Sequence, residues 1–334
     1  MSSWKRSFSI LAALALVAAG CGDDDDGGGA TGTSTTAEDA PGTTAAEGEA
    51  QAVTVVGTDY EFTEAPDELS AGVVDLSFEN EGEVRHEVAL VEIGDTSLEQ
   101  LLEDFPPVLE GGPLPAYAEN VAAPIDIAGG ESADVTFTVA EGTYALICAL
   151  DGDAEAAATS TTAESGIGEG EAEEPSGPPH FARGMAQTLT VGPGDPDAEL
   201  PEADGTITAV DHGFETDIEA GDSTVTFLNT GPDEIHFASV SVFPEGTDVA
   251  AAEEAFKALL QSGEDAPPPE GVPLPEDVGF SGVFSAGLGS NFELAEGRQF
   301  ESGRTYLLAC FIQDRSGGPP HAVAYDMYEA FTVG

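Results

Sequence analysis

The stretch TYALIC, residues 143–148, recurs as TYLLAC at residues 305–310. Each stretch is apolar, short and rich in residues that favour strands, and each ends in a cysteine. A motif that returns in the same form later in a chain indicates an internal duplication. We therefore expect two homologous units, each built around one of these strands.

Further motifs repeat in the same order on both sides of these stretches. They are EG-x-PLP at 110–115 and 270–275, GPPH at 177–180 and 318–321, and N-x-G followed by a histidine at 80–86 and 229–236. The order predicts two domains, residues 52–192 and 206–334, joined by a Pro/Asp-rich linker at 193–205.

Short stretches with alternating apolar and polar residues fill both copies. VVDLSFEN (73–80) and STVTFLN (223–229) have the period of half-buried strands. One helix is predicted in each copy, at SLEQLLEDF (97–105) and VAAAEEAFKALLQSG (249–263). The fold class predicted is all-β, with two tandem Greek-key β-sandwiches that each carry one inserted helix.

The first 21 residues are predicted to be a lipoprotein signal peptide. Two basic residues precede an apolar run of 12 residues (8–19), which is too short for a stable membrane span, and small residues then precede Cys21. This pattern resembles a bacterial lipobox, in which the cysteine is lipidated. The alternative is a plain secretory signal with an incidental cysteine. Residues 22–51 are polar and of low complexity, and predict a disordered tether.

One segment breaks the symmetry between the copies. Residues 151–177 are acidic, rich in Ala, Gly and Ser, and without aromatic residues, whereas the second copy has only a short stretch at this place. Such a composition cannot bury a core, so a disordered insertion is predicted in the first copy.

The charge of the chain limits its partners. It has 8 Lys plus Arg against 64 Asp plus Glu, a formal net charge of −56. Nucleic acid is excluded as a partner because no basic patch exists to neutralise phosphates. A basic membrane-binding surface is excluded for the same reason, so membrane contact is expected through the lipid anchor alone. The protein is expected outside the cytoplasm, anchored to the cell membrane.

Histidine, cysteine and methionine residues also repeat, in the order His, Cys, His, Met. The two sets are His86, Cys148, His180 and Met185 in the first copy, and His236, Cys310, His321 and Met327 in the second. Two imidazoles, a thiolate and a weak thioether form the ligand set of a blue-copper electron-transfer site. One structural alternative is a buried, inert thiol in each copy.

Each copy resembles the cupredoxin (type 1 copper) domains, in the pattern N-x-G, His, T-Y-x-x-x-C, and His followed by Met. The resemblance implies a sandwich with one copper near its end, His and Cys as equatorial ligands and Met as axial ligand. It also implies electron transfer through an exposed edge of His180 or His321. The sequence departs from the familiar pattern in the loop between Cys and the second His, which has 31 residues in the first copy and ten in the second.

Three further residues have weaker predicted roles. Asn80 and Asn229 resemble residues that support the ligand loop, and a plain turn role is the alternative. His212 has no counterpart in the first copy and is expected at the surface, not as a ligand.

The leading functional hypothesis is a membrane-tethered extracytoplasmic protein that cycles Cu(II)/Cu(I) for one-electron transfer or copper handling. A basic redox partner protein would suit its acidity. The chain has no H-x-H pair and no histidine beside either cysteine of the repeat, both of which would suit a second, catalytic copper. We therefore expect no enzyme. The alternative is a metal-free cupredoxin-like binding module presented at the cell surface.

Overall fold

The computed structural model describes residues 50–150, 177–195, 197–262 and 271–334. The predicted signal peptide, Cys21 and nearly all of the tether lie outside these residues. So does the predicted insertion, apart from its last residue. These assignments stay predictions, as do the domain boundaries.

Strands make up most of the N-terminal half. Its elements are β1 (Gln51–Thr58), β2 (Glu61–Glu64), β3 (Glu68–Ser70), β4 (Gly72–Asn80), β5 (His86–Glu92), α1 (Leu98–Asp104), α2 (Pro106–Leu109), β6 (Val121–Ile127), β7 (Ser132–Val139), β8 (Gly142–Ile147), α3 (His180–Arg183) and β9 (Ala186–Gly192).

The C-terminal half follows a similar order. Its elements are β10 (Gly205–Val210), β11 (Gly213–Asp217), β12 (Thr224–Asn229), β13 (Ser239–Val242), α4 (Val249–Ser262), β14 (Glu276–Phe280), β15 (Val283–Phe284), β16 (Gly289–Glu293), a 3₁₀ turn (Ala295–Gly297), β17 (Thr305–Ala309), α5 (His321–Ala324) and β18 (Tyr328–Thr332).

Each half is a sandwich of two sheets. In the N-terminal half the strand orders are β2-β1-β4-β7 and β6-β5-β8-β9-β3. In the C-terminal half they are β11-β10-β12-β16 and β14-β13-β17-β18. Side chains from both sheets share one hydrophobic cluster, including Phe78 and Leu146 in the first half and Phe227 and Leu308 in the second. The predicted class of tandem β-sandwiches is confirmed.

The inserted helix predicted in each half is present. Helices α1 and α4 lie where the sequence predicts them, capped by the side chains of Ser97 and Asp248. Among the described residues there are three further helices, α2, α3 and α5, with four residues each. A single turn is too short to produce a helical period in the sequence, so these elements gave no signal.

The two halves are joined by hydrogen-bonded strands. Strand β16 pairs antiparallel with β7, with Ser290 opposite Phe137, and this pairing makes one eight-stranded sheet. Strand β15 pairs with β6 in a second connection. The halves therefore form one continuous structure through their sheets. Of the helices described, none has the length and apolar character that crossing a membrane requires.

Candidate metal centre

Two neighbouring strands position the first ligand group. His86 is the first residue of β5, and Cys148 directly follows the last residue of β8. Strands β5 and β8 pair with each other. The backbone N–H of Glu87 donates to the Sγ of Cys148 at 3.4 Å. The strand pairing thus brings together two residues that are far apart in the sequence.

The three predicted equatorial ligands of site 1 converge on one point. The Nδ1 atoms of His86 and His180 lie 3.1 Å apart. The Sγ of Cys148 lies 3.9 Å from Nδ1 of His86 and 3.3 Å from Nδ1 of His180. All three side chains are fully buried.

Site 2 has nearly the same geometry. The Nδ1 atoms of His236 and His321 lie 3.2 Å apart. The Sγ of Cys310 lies 3.8 Å from Nδ1 of His236 and 3.6 Å from Nδ1 of His321. These side chains are also fully buried. Here His236 precedes β13 and is held by an isolated bridge to Phe284.

Each methionine is tied to the cysteine of its own site. The backbone N–H of Cys148 donates to the carbonyl of Met185, and that of Cys310 to the carbonyl of Met327, both at 3.1 Å. Both methionines are fully buried. A Cβ on Gly57 would lie 3.0 Å from the Cε of Met185, so the glycine leaves room for this side chain. The structure thus places the main chain of each methionine against the cysteine of its predicted ligand set.

The helices α3 and α5 close the loops between the second histidine and the methionine. In site 1 the N–H of Phe181 donates to the carbonyl of Cys148, and in site 2 the N–H of Ala322 donates to that of Cys310. These bonds place each short helix directly against the cysteine. The length of the preceding loop therefore does not prevent the histidine from reaching the thiol.

The expected exposed histidine edge is not found. His180 and His321 are both 0% exposed. Tyr60 covers site 1, and the centre of its ring lies 4.8 Å from that of His180. The guanidinium of Arg183 lies over the Tyr60 ring, 3.1 Å from its centre. His180 and His321 are buried because the rings of Tyr60 and His212 pack over them. These two rings belong to the turns after β1 and β10, which are distant in sequence from the histidines.

His212 covers site 2 from a partly exposed position. Its ring stacks on Tyr325 at 3.8 Å and lies 5.5 Å from the ring of His321. Its side chain is 30% exposed. The described geometry places it beside the ligand group and not within it, since the metal-binding group contains only His236, Cys310 and His321.

Burial controls the protonation of the ligands. It lowers the pKa of His86 to about 4 and that of His236 to about 3, with the neighbouring histidine as the second cause. It raises the pKa of Cys310 to about 12. The pKa of Cys148 is raised too, by burial first and by Glu87 second. At neutral pH the metal-free protein thus holds His86 and His236 neutral and both thiols protonated.

These donor sets fit a metal ion. Imidazole nitrogen and thiolate sulfur bind metals at about 2.0–2.3 Å, so three such donors around one ion lie roughly 3.5–4 Å apart. The distances at both sites are close to this range. Two imidazoles, one thiolate and a nearby thioether favour copper among the biological metals.

The side chains of Asn80 and Asn229 fix the segment of chain that leads to the first histidine of each site. The Nδ2 of Asn80 donates to the carbonyls of Val84 and Ile127, and its Oδ1 accepts from the N–H of Gly82. Asn229 bonds similarly to Glu234, Phe284 and Gly231. Both predicted roles are therefore met, because one side chain forms the turn and fixes the chain that leads to the first histidine.

Asp314 and Tyr325 also contact site 2, although no sequence motif points to them. The Oδ1 of Asp314 lies 3.1 Å from Nε2 of His321, and its Oδ2 accepts from the Tyr325 hydroxyl at 2.6 Å. Neither residue has a counterpart in the repeated motifs, so the duplication gave no signal for them.

The fold and the two donor groups are cupredoxin-like. No protein-family model and no curated protein matches the chain. Among solved structures it is similar to auracyanin B, with 27% identity over 45% of this chain and 94% of that chain, at a TM-score of 0.27. It is also similar to auracyanin A from Chloroflexus aurantiacus, described as a "blue" copper protein, with 24% identity over 43% and 100% of the two chains and a TM-score of 0.28.

A longer match corrects one expectation. The copper nitrite reductase from Nitrosomonas europaea matches 86% of this chain and 94% of its own, with 14% identity and a TM-score of 0.23. A multicopper oxidase is also among the matches. Both are enzymes, so the prediction that this chain is not an enzyme is wrong on this comparison and is withdrawn.

Proposed function

We propose that this protein binds one copper ion in each half and transfers single electrons. The observation that carries the proposal is the pair of buried groups in which two imidazole Nδ1 atoms and one Sγ face each other. The predicted ligands are His86, Cys148, His180 and Met185 at site 1, and His236, Cys310, His321 and Met327 at site 2. When bound, copper supplies a one-electron Cu(II)/Cu(I) couple.

The protein prepares each site in three ways. Burial keeps His86 and His236 neutral and able to donate an electron pair from Nδ1. The cysteine loses its proton on binding, because a thiolate is the ligand form. The strands, the asparagine and the short helix hold the donors in place, so little rearrangement is needed when the charge of the site changes.

Electrons must enter through the covering side chains. Because His180 and His321 are fully buried, no ligand edge is available for direct contact with a partner. Tyr60 and Arg183 lie between site 1 and the outside, and His212 and Tyr325 do so at site 2. Electron transfer over these short, aromatic contacts replaces transfer through an exposed histidine.

We further propose that the protein works outside the cytoplasm, held to the cell membrane by a lipid on Cys21. The lipobox-like sequence before Cys21 supports this placement. The net charge of −56 favours a basic redox partner protein, whose association would slow as salt is added. A Cys21→Ala variant that remains in the membrane fraction would contradict the anchor, and association rates insensitive to ionic strength would contradict the basic partner.

The test of copper binding uses the purified chain titrated with Cu(II) without reductant. We expect an intense thiolate-to-copper band in the visible spectrum and one copper per site. Cys148→Ser and Cys310→Ser should each remove half of the band, and the double variant all of it. A wild-type chain that shows no band, binds no Cu(I) and keeps both thiols titratable would overturn the proposal and favour a metal-free binding module.

A further inference from the structure

Site 2 has a carboxylate in contact with one of its ligands. The Oδ1 of Asp314 lies 3.1 Å from the Nε2 of His321, on the opposite side of the ring from the Nδ1 that faces Cys310. With Nδ1 used for a metal, Nε2 carries the proton and donates it to the carboxylate.

Asp314 is held in this position from both sides along the chain. Gln313 donates from Nε2 to the carbonyl of Val108, and Arg315 donates from its guanidinium to the carbonyls of Ala118 and Glu119. These acceptors belong to the N-terminal half. The loop that carries Asp314 is thus fixed against the other half of the molecule and does not depend on metal binding for its position.

Two other groups adjust the charge of Asp314. The Tyr325 hydroxyl donates to its Oδ2 at 2.6 Å and takes up part of the negative charge. Glu234 brings a second carboxylate within 4.8 Å of Asp314 and His321, and its Oε2 accepts from the backbone N–H of Arg315 at 2.8 Å. The side of His321 that faces away from Cys310 is therefore negatively charged.

From this geometry we infer that Asp314 is a positioning residue that lowers the reduction potential of site 2 through His321. A carboxylate that accepts from the distal N–H makes an imidazole a stronger donor. It also stabilises the oxidised site, which carries one more positive charge than the reduced site. Both effects favour Cu(II) over Cu(I). The inference rests on the proposed function, because it concerns the copper bound by His321.

The experiment measures the reduction potential of site 2 alone. Cys148→Ser removes the thiolate of site 1, so that the remaining visible band reports site 2. In this background Asp314→Asn keeps the shape of the side chain and removes its charge. We expect the ratio of reduced to oxidised site to rise about tenfold at the parent's midpoint, an upward shift of about 59 mV for one electron.

The matched control is Asp326→Asn. Asp326 lies between α5 and β18 and accepts from the Tyr328 hydroxyl, and no bond from its carboxylate to a ligand histidine is found in the described structure. Its φ of 54° is one that asparagine also adopts readily. Asp326→Asn should therefore shift the reduction potential of site 2 far less than Asp314→Asn does. Equal shifts in the two variants would overturn the inference.

Tyr325→Phe gives a second test with the opposite sign. It removes the hydroxyl that shares the charge of Asp314 and keeps a ring to stack on His212. We expect the potential to fall. If the Asp314→Asn protein does not bind copper, the Tyr325→Phe variant tests the inference instead. A reduction potential that is unchanged or higher in Tyr325→Phe would overturn the inference.

The outcomes separate the two proposals. A Cys148→Ser protein without the visible band would overturn the proposed function at site 2, and the inference with it. A normal band whose potential does not rise in Asp314→Asn would overturn only the inference.

Discussion

The backbone N–H of Cys148 donates to the carbonyl of Met185 at 3.1 Å, and the second half of the chain repeats this bond between Cys310 and Met327. In both sites the bond fixes the main chain of the methionine independently of its side chain. Replacing the thioether should therefore leave the rest of each site intact.

Met327→Leu should keep copper at site 2 and raise its reduction potential. Leucine retains the buried volume, so packing is nearly unchanged. The weak thioether donor that would stabilise the oxidised state is lost. The measurement is a redox titration of the visible band in a Cys148→Ser background. Met185→Leu in the Cys310→Ser background is the matched test of site 1, and a potential that stays constant in both would show that the thioethers are not ligands.

Copper binding should release one proton for each site that fills. Burial raises the pKa of Cys310 to about 12 and also raises that of Cys148, so both thiols are protonated in the metal-free protein at pH 7.5. The thiolate is the form that binds metal. Cu(I) titration in weak buffer with a pH electrode measures the release. Cys310→Ser should reduce it from about two protons to about one; an unchanged release would contradict thiolate binding at site 2.

Asn80→Ala should lower the free energy of unfolding of the metal-free protein by about 2 kcal/mol or more. Asn80 is buried, and its side chain bonds to the carbonyls of Val84 and Ile127 and to the N–H of Gly82. Alanine leaves these groups without their partner. Asn291→Ala is the control, because Asn291 is only half-buried. Urea unfolding compares the two, and equal losses would argue against a special role for Asn80.

Arg315→Ala should weaken copper binding at site 2 and leave site 1 unchanged. Its guanidinium donates to the carbonyls of Ala118 and Glu119 and thereby holds the loop that leads to His321. Loss of these charged hydrogen bonds should also cost about 3 kcal/mol of stability. Lys257→Ala removes the same charge from an exposed position on α4 and should change neither quantity by much. Equal weakening of both sites would contradict a local role of the loop.

The free energy of unfolding of the metal-free protein should fall as the pH drops below 6.5, because of the buried imidazole of His236. Burial lowers the pKa of His236 to about 3, so between these values the unfolded chain takes up a proton that the folded protein does not. The free energy of unfolding then falls with decreasing pH, by up to about 1.4 kcal/mol per pH unit from this residue. Urea midpoints between pH 6.5 and 5 measure the slope. His236→Gln should reduce it, and an identical slope in both proteins would contradict the effect.

Most strands were predictable because their signal is local. VVDLSFEN and STVTFLN alternate with the period of a strand, and β4 and β12 lie there within one residue. His236 lies outside β13 and makes an isolated bridge to Phe284, a contact for which the sequence carries no local signal. The single-turn helices α3 and α5 were not predictable, since four residues hold no period.

The donor sets were predictable because the duplication marks them. Histidine, cysteine and methionine recur in one order in both halves, and the structure brings the two histidines and the cysteine of each set together. Asp314, Tyr325 and the covering role of His212 break this symmetry, so the repeat contained no information about them.

The sequence by itself determined the duplicated β-sandwich and the donor atoms of each site, since strand period and residue order are properties of short segments. Only the tertiary structure decided that β7 pairs with β16, that His321 is buried, and that Asp314 meets it from a loop held by the other half. These features depend on contacts between residues distant in the chain, where local periodicity and repeated motifs carry no signal.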